Sequence, residues 1–111
     1  MEISKQDWKL FRERISVWQE SYMEKLNKEY IELLTGNGTP SEKFWSLEKR
    51  IRNDKRHTGV LITLSKRNMP FDIVSLVMDG AIDFGDIEDF SDDLKETVHF
   101  LIERQTDFSE E

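Results

Sequence analysis

Cysteine is absent from the 111 residues. Its absence excludes disulfides, thiolate metal sites and cysteine nucleophiles. Histidine occurs only at His57 and His99, far apart in sequence and without a Ser or Cys nucleophile signature, which disfavours hydrolytic chemistry. There is no glycine-rich phosphate loop, because "TGNGT" is not followed by Lys-Ser/Thr. Long apolar runs are missing as well. The most apolar stretch, "GVLITL", falls far short of the ~20 residues that a bilayer span requires. The N-terminus "MEISKQDWKLF" carries charge throughout and has no apolar core of a signal peptide. The expectation is a soluble, cytoplasmic, non-enzymatic protein without cofactor or membrane partner.

What the chain does contain is charge. Charged residues make up 35% and apolar residues 37%, more charge than the usual quarter. The net charge of −7 disfavours non-specific nucleic-acid binding. Its distribution is lopsided. Residues 43–67 carry eight basic side chains against two acidic, whereas residues 80–111 carry two basic against eleven acidic. The length implies one domain, 1–111, able to bury roughly 65% of its unfolded surface.

Periodicity points to an all-α fold. Trp8, Phe11, Ile15, Trp18, Tyr22, Leu26, Tyr30 and Leu33 recur at steps of three and four, one face of a helix of about thirty residues. Ser4 is a candidate N-cap for the amide of Asp7, with Asp7 reaching back in a capping-box variant. Gly36 is a candidate left-handed stop. At roughly 1.5 Å per residue this helix would exceed the diameter of a compact domain, so part of it must project or pack on another long helix. Thr39, Pro40 and Glu42 read as N-cap, N1 proline and capping-box partner of a second helix, with Phe44, Leu47 and Ile51 on one face and Trp45 and Glu48 beside it. The short connection makes the two helices antiparallel. Trp8, Trp18, Tyr22 and Trp45 are expected to meet between them.

Beyond this hairpin (1–57) the expectation is a compact cluster of about three short helices (58–105) and a frayed tail (106–111). Val60, Ile62 and Leu64 alternate like a strand, but a lone strand leaves its backbone unpaired, so a short helix over 60–66 is expected instead. Asn68 and Pro70 open a buried helix that Gly80 ends, and Asp83 caps a one-turn helix placing Phe84, Ile87 and Phe90 on the core. Ser91 caps a last helix with Leu94, Val98, Leu101 and Ile102 inward.

Two constellations are candidate sites. The stretch "DGAIDFGDIEDFSDD" holds seven acids in fifteen residues. An EF-type calcium loop needs oxygens at 1, 3 and 5 and Glu at 12, and neither register, from Asp79 or from Asp83, supplies them. No metal is expected. Capping and helix-dipole stabilisation account for the positions of the acids, at ~0.3–1 kcal/mol each. What remains is a negative face, Asp83, Asp86, Glu88, Asp89, Asp92 and Asp93, for a basic partner. The basic run "KRIRNDKRH" offers Lys49, Arg50, Arg52, Lys55 and Arg56 as alternative phosphate-contacting residues. No aromatic residue interleaves it for base stacking. A recognition-helix reading of 70–101 is disfavoured because the helix would offer Asp92, Asp93, Glu96 and a single Lys95 where base edges need Arg, Asn or Gln. A second apolar set on the first helix, Leu10, Met23, Ile31 and Leu34, favours a second packing partner, for which a homodimer is one candidate.

Through "DWKLFRERISVWQESYMEKLNKEYIELL", "KFWSLEKRIRNDKR" and "DIVSLVMDGAIDFGDIEDFSDDLKE" most of the chain resembles a set of short bacterial proteins with no established activity. The resemblance implies no function and transfers no site residue. The leading expectation is therefore a small interaction or regulatory protein that binds a protein partner. The alternative is a nucleic-acid-linked role, with the basic helix on phosphates or the acidic half imitating DNA.

Overall fold

The computed structural model describes the backbone of residues 2–110 and the side chains of residues 2–105. Among the described residues the chain is all-helical: α1 (Lys5–Thr35), α2 (Pro40–Asp54), α3 (Met69–Met78), a 3-10 turn (Phe84–Ile87) and α4 (Asp92–Glu110). The tail expected to fray, 106–111, has its side chains and all of Glu111 outside the described residues, and α4 extends into it.

The 31 residues of α1 make a rod of about 46 Å. The molecule measures 52 × 36 × 22 Å, and its radius of gyration of 16.5 Å exceeds the ~13 Å of a compact domain of this length. One face of α1 serves two halves of the fold. Its first half, through Phe11, Ile15 and Trp18, builds the core with Met69, Ile73, Val74 and Leu76 of α3, Ile87 and Phe90, and Leu94 and Val98 of α4. Its second half carries α2. Tyr30 pairs with Asp54, Glu29 with Arg50 and Tyr22 with His57, so α2 runs back along α1.

The aromatic row therefore divides differently from the sequence expectation. Trp8 and Trp18 belong to the α3–α4 core, and Trp18 lies 6.3 Å from the Phe90 ring. Trp45 does not join them. It is 64% exposed and packs edge-on against Phe44, itself 63% exposed. Of the row Phe44–Leu47–Ile51, Phe44 and Ile51 are exposed, and Asp54 is the one buried residue of α2.

Helix ends explain most of the remaining geometry. Thr39 and Glu42 form the expected capping box with Pro40 in the first turn. Asp83 and Asp86 form another around the 3-10 turn, and the Ser91 hydroxyl accepts from the Leu94 amide. Gly80 ends α3 at φ +79, with the Ala81 amide on the Leu76 carbonyl and the Gly80 amide on that of Val77, a Schellman closure. Gly36 is not left-handed (φ −80); Gly38 takes the positive φ of that turn. Asn68 makes no side-chain cap.

Residues 60–66 are neither helix nor strand. A turn closes through the amides of Val60 and Leu61 on the His57 carbonyl, and the chain then runs irregularly to a second turn at Ser65–Met69. Only Ile62 of this segment packs on the main core, while Leu61 and Leu64 are exposed. Water can solvate a backbone so placed, which removes the objection to an unpaired extended segment. Phe71 and Met78 of α3 and Phe84 are likewise exposed, because only one side of α3 meets α1 and α4.

Asp72, in the first turn of α3, has one carboxylate oxygen buried without a hydrogen-bond partner. Burial pushes its carboxyl up from 3.8 to about 6. Between those values the folded state holds a proton that the unfolded chain lacks, so stability rises as pH falls through this window. Above about pH 6 both states are ionised and the fold bears the full desolvation cost. Asp72→Asn should therefore stabilise the protein at pH 7 by ~1 kcal/mol, less than the bare shift implies because of partial solvent screening and the lost helix-dipole contribution. Urea midpoints of the two proteins should converge by about pH 4, below which both states of Asp72 are protonated. A variant less stable than the parent at pH 7 would contradict this.

Candidate interaction face of the helical pair

The two flat sides of the α1–α2 pair differ in chemistry. One is polar. Asp54, 4% exposed, accepts from the Tyr30 hydroxyl at 2.5 Å, and Arg50 reaches it through Nε at 3.6 Å. Arg50 also donates to Glu29 at 3.2 Å and lies over the Tyr30 ring. The Tyr22 hydroxyl and His57 Nδ1 are 2.9 Å apart, with Asp54 4.0 Å beyond. Burial, then the hydrogen bond to Asp54, holds the Tyr30 hydroxyl at about 12. Burial, then the Asp79 carboxylate, raises that of Tyr22. Both phenols therefore stay protonated near neutrality, and that of Tyr30 donates to Asp54. The cluster braces α2 on α1.

The other side is apolar and open. Phe44, Leu47, Glu48, Ile51, Arg52 and Lys55 line a shallow groove of about 360 Å³ along α2. Ile51 and Lys55 also border a second groove, of about 260 Å³, with Met23, Asn27, Tyr30 and Val60. Ile51 is the hinge of the two. The spacing Phe44, Leu47, Ile51 keeps these side chains in one row on α2. They stay uncovered because α2 leans on α1 through its other edge, that of Arg50 and Asp54. Ile31 and Leu34 near the end of α1 are exposed as well. Of the second apolar set, Leu10 packs on the core, Met23 borders the second groove, and Ile31 and Leu34 are exposed.

The basic residues are unequal. Arg50 is occupied by Glu29 and Asp54, and Arg52 pairs with Glu48 at 2.8 Å. Lys49, Lys55 and Arg56 have no ion-pair partner among the described residues and remain in solvent. Lys49, Arg52, Asn53 and Arg56 border a shallow hollow on the outer face of α2.

The six acids proposed from the sequence also divide. Asp83 and Asp86 cap each other's backbone. Asp89 pairs with Arg14 at 2.5 Å, while Arg14 also donates to the Asp86 carbonyl, fixing the 3-10 turn on α1. Asp92 lies 3.4 Å from Lys95, whose ammonium also reaches the Glu88 carbonyl. The carboxylates of Glu88 and Asp93 alone are uncommitted. Among the described residues no group of three or more His, Asp or Glu is placed to hold a metal ion. His99 is exposed and stacks flat on Phe84 at 4.1 Å.

Two acids of structural weight take roles that sequence reasoning did not assign, Asp7 and Asp54. Asp7 does not reach back to Ser4. It is 4% exposed and accepts from the amide and hydroxyl of Ser91, 84 residues away. A signal was present: Asp7 precedes Phe11 by four, in line with the buried row. Asp54 follows Arg50 by four on the edge of α2 that faces α1, which the sequence alone does not orient.

Compared with protein-family models, with curated proteins and with solved structures, the chain matches none.

Proposed function

We propose that this chain is a non-enzymatic interaction protein that docks a protein partner on the open apolar side of its α1–α2 hairpin, with the α3–α4 cluster as the base that holds the hairpin out. The observation that carries this reading is the uncovered row Phe44–Leu47–Ile51. Three apolar side chains at helical spacing, edged by Lys55 and the Glu48–Arg52 pair, have the form of a helix-in-groove site. Aromatic anchors such as Phe44 and Trp45 are the residue types on which binding energy concentrates. The committed state of Asp83, Asp86, Asp89 and Asp92 weakens the alternative in which that acidic stretch is the docking face.

A photo-crosslinking side chain placed at Ile51 in cells should give a discrete protein adduct, and one at Glu13, on the exposed side of the first half of α1, should not. No adduct at position 51 above the level at position 13 would overturn the reading. The nucleic-acid alternative keeps one supporting observation, the hollow bordered by Lys49, Arg52 and Arg56. It requires duplex affinity that falls steeply with salt and is lost in Lys49→Glu/Arg56→Glu.

A further inference from the structure

We propose that the outer face of α2, beside the apolar groove, binds single-stranded nucleic acid, with phosphates on Lys49, Arg52 and Arg56 and an unpaired base on the Trp45 indole. This goes beyond the docking reading. Of the residues that border the groove only Arg52 also borders the basic hollow, and Trp45 does not border the groove.

The hollow, of about 240 Å³, is lined by Lys49, Arg52, Asn53 and Arg56. Each brings hydrogen-bond donors, and none is a carboxylate. All four are exposed. Lys49 and Arg56 have no ion-pair partner among the described residues, and Arg52 gives Glu48 one guanidinium nitrogen at 2.8 Å. The other two acids of α2 are engaged elsewhere. Glu42 closes the capping box, and Asp54 is buried with Tyr30 and Arg50 on the edge that meets α1. Spacings of three and four hold the four donors in one stripe, on the side of α2 away from Arg50 and Asp54.

The basic run itself contains no aromatic residue, but its stripe continues one turn back to Trp45, four residues before Lys49. Trp45 is 64% exposed. The helix dipole favours a cation in the last turn of α2, such as Arg52, but it gives no reason for an indole in water in line with the cations. A single strand offers both things this face takes: successive phosphates, and base faces not already stacked. An acidic peptide supplies charge without a planar face. A duplex keeps its bases stacked inside. The net charge of −7 opposes any polyanion at long range. At physiological ionic strength the Debye length is about 8 Å, so the contact is governed by the charges beside it, and those are cations.

Fluorescence anisotropy of a labelled oligothymidylate of about a dozen nucleotides, titrated with the full chain, tests this. Affinity should fall about four-fold for each doubling of salt, as three neutralised phosphates on a single strand require. Lys49→Glu/Arg56→Glu should weaken binding about 30-fold or more. Trp45→Ala should weaken it about 10-fold, whereas Trp45→Phe, which keeps an aromatic face, should stay within about three-fold of the parent. Binding should also quench tryptophan emission in the parent and not in Trp45→Phe, because Trp18 is buried and Trp8 packs against the core. All these changes are at exposed positions, so circular dichroism should show parental helicity. Three results would each overturn the inference: no binding by the parent at low salt, a duplex of the same length bound as tightly, or parental affinity in Trp45→Ala. Displacement of the strand by polyglutamate as readily as by unlabelled oligothymidylate would also overturn it, and would mark an acidic protein as the occupant. The position-51 adduct reports on the groove alone, so failure here leaves the docking reading standing.

Discussion

Asp7→Ala should cost about 3 kcal/mol, from the loss of two hydrogen bonds to a buried carboxylate and the Ser91 amide left without a partner. Against a total of ~5–15 kcal/mol for a domain, that is a large fraction. The melting temperature should fall by about 10–15 °C. The effect is large because one carboxylate holds two helix starts together. Asp7 lies in the first turn of α1, and Ser91 is the residue whose hydroxyl caps α4. Losing the carboxylate frees the Ser91 hydroxyl and unties the entry of α4 from α1. Asp7→Asn keeps one acceptor and should fall between the two. A loss below about 1 kcal/mol for Asp7→Ala, the size of one ordinary hydrogen bond, would show that the clasp carries no special weight.

Gly59→Ala should be nearly as damaging, by about 2–3 kcal/mol of overpacking. A Cβ at this position would lie 2.4 Å from Tyr22 Cδ2 and 2.9 Å from Cγ. The cause is steric, since Gly59 does not occupy a left-handed conformation. Tyr22 cannot easily yield: its ring is buried against α2 and the following turn, and its hydroxyl is held by His57. Either the phenol leaves His57 or the turn after α2 lifts off α1, which would loosen the hairpin at its root. Pairing Gly59→Ala with Tyr22→Leu should cost less than the sum of the single changes, as expected for residues in contact. Strict additivity in urea unfolding would argue against the clash.

How far the sequence could be read follows from which forces are local. The α1 row, the Thr39–Glu42 box, the Asp83 cap and the Ser91 cap depend on residues a few positions apart, and these features were legible. The partition of α1 between two sets of neighbours was not. Trp8 and Trp45 look alike in sequence, and only tertiary packing places one against the core and leaves the other in solvent. Residues 60–66 were misread because the objection to an unpaired extended segment assumed burial. Of the candidate interaction face, Phe44, Leu47 and Ile51 are legible as a row, but the direction in which the row faces is not. An amphipathic helix reports that its apolar side wants cover without saying whether the cover comes from its own chain.

The clasp between Asp7 and Ser91 also has a consequence for synthesis. A chain made from its N-terminus at ~5–20 residues per second needs roughly 4–17 s to add the 84 residues that separate the two. For the later part of that interval α1 is complete, with an aromatic row and a carboxylate whose mates are not yet translated. The nascent protein cannot complete its fold by halves. It depends on the last helix arriving, and any truncation before residue 91 would leave a long, sticky rod for the cell's chaperones and proteases.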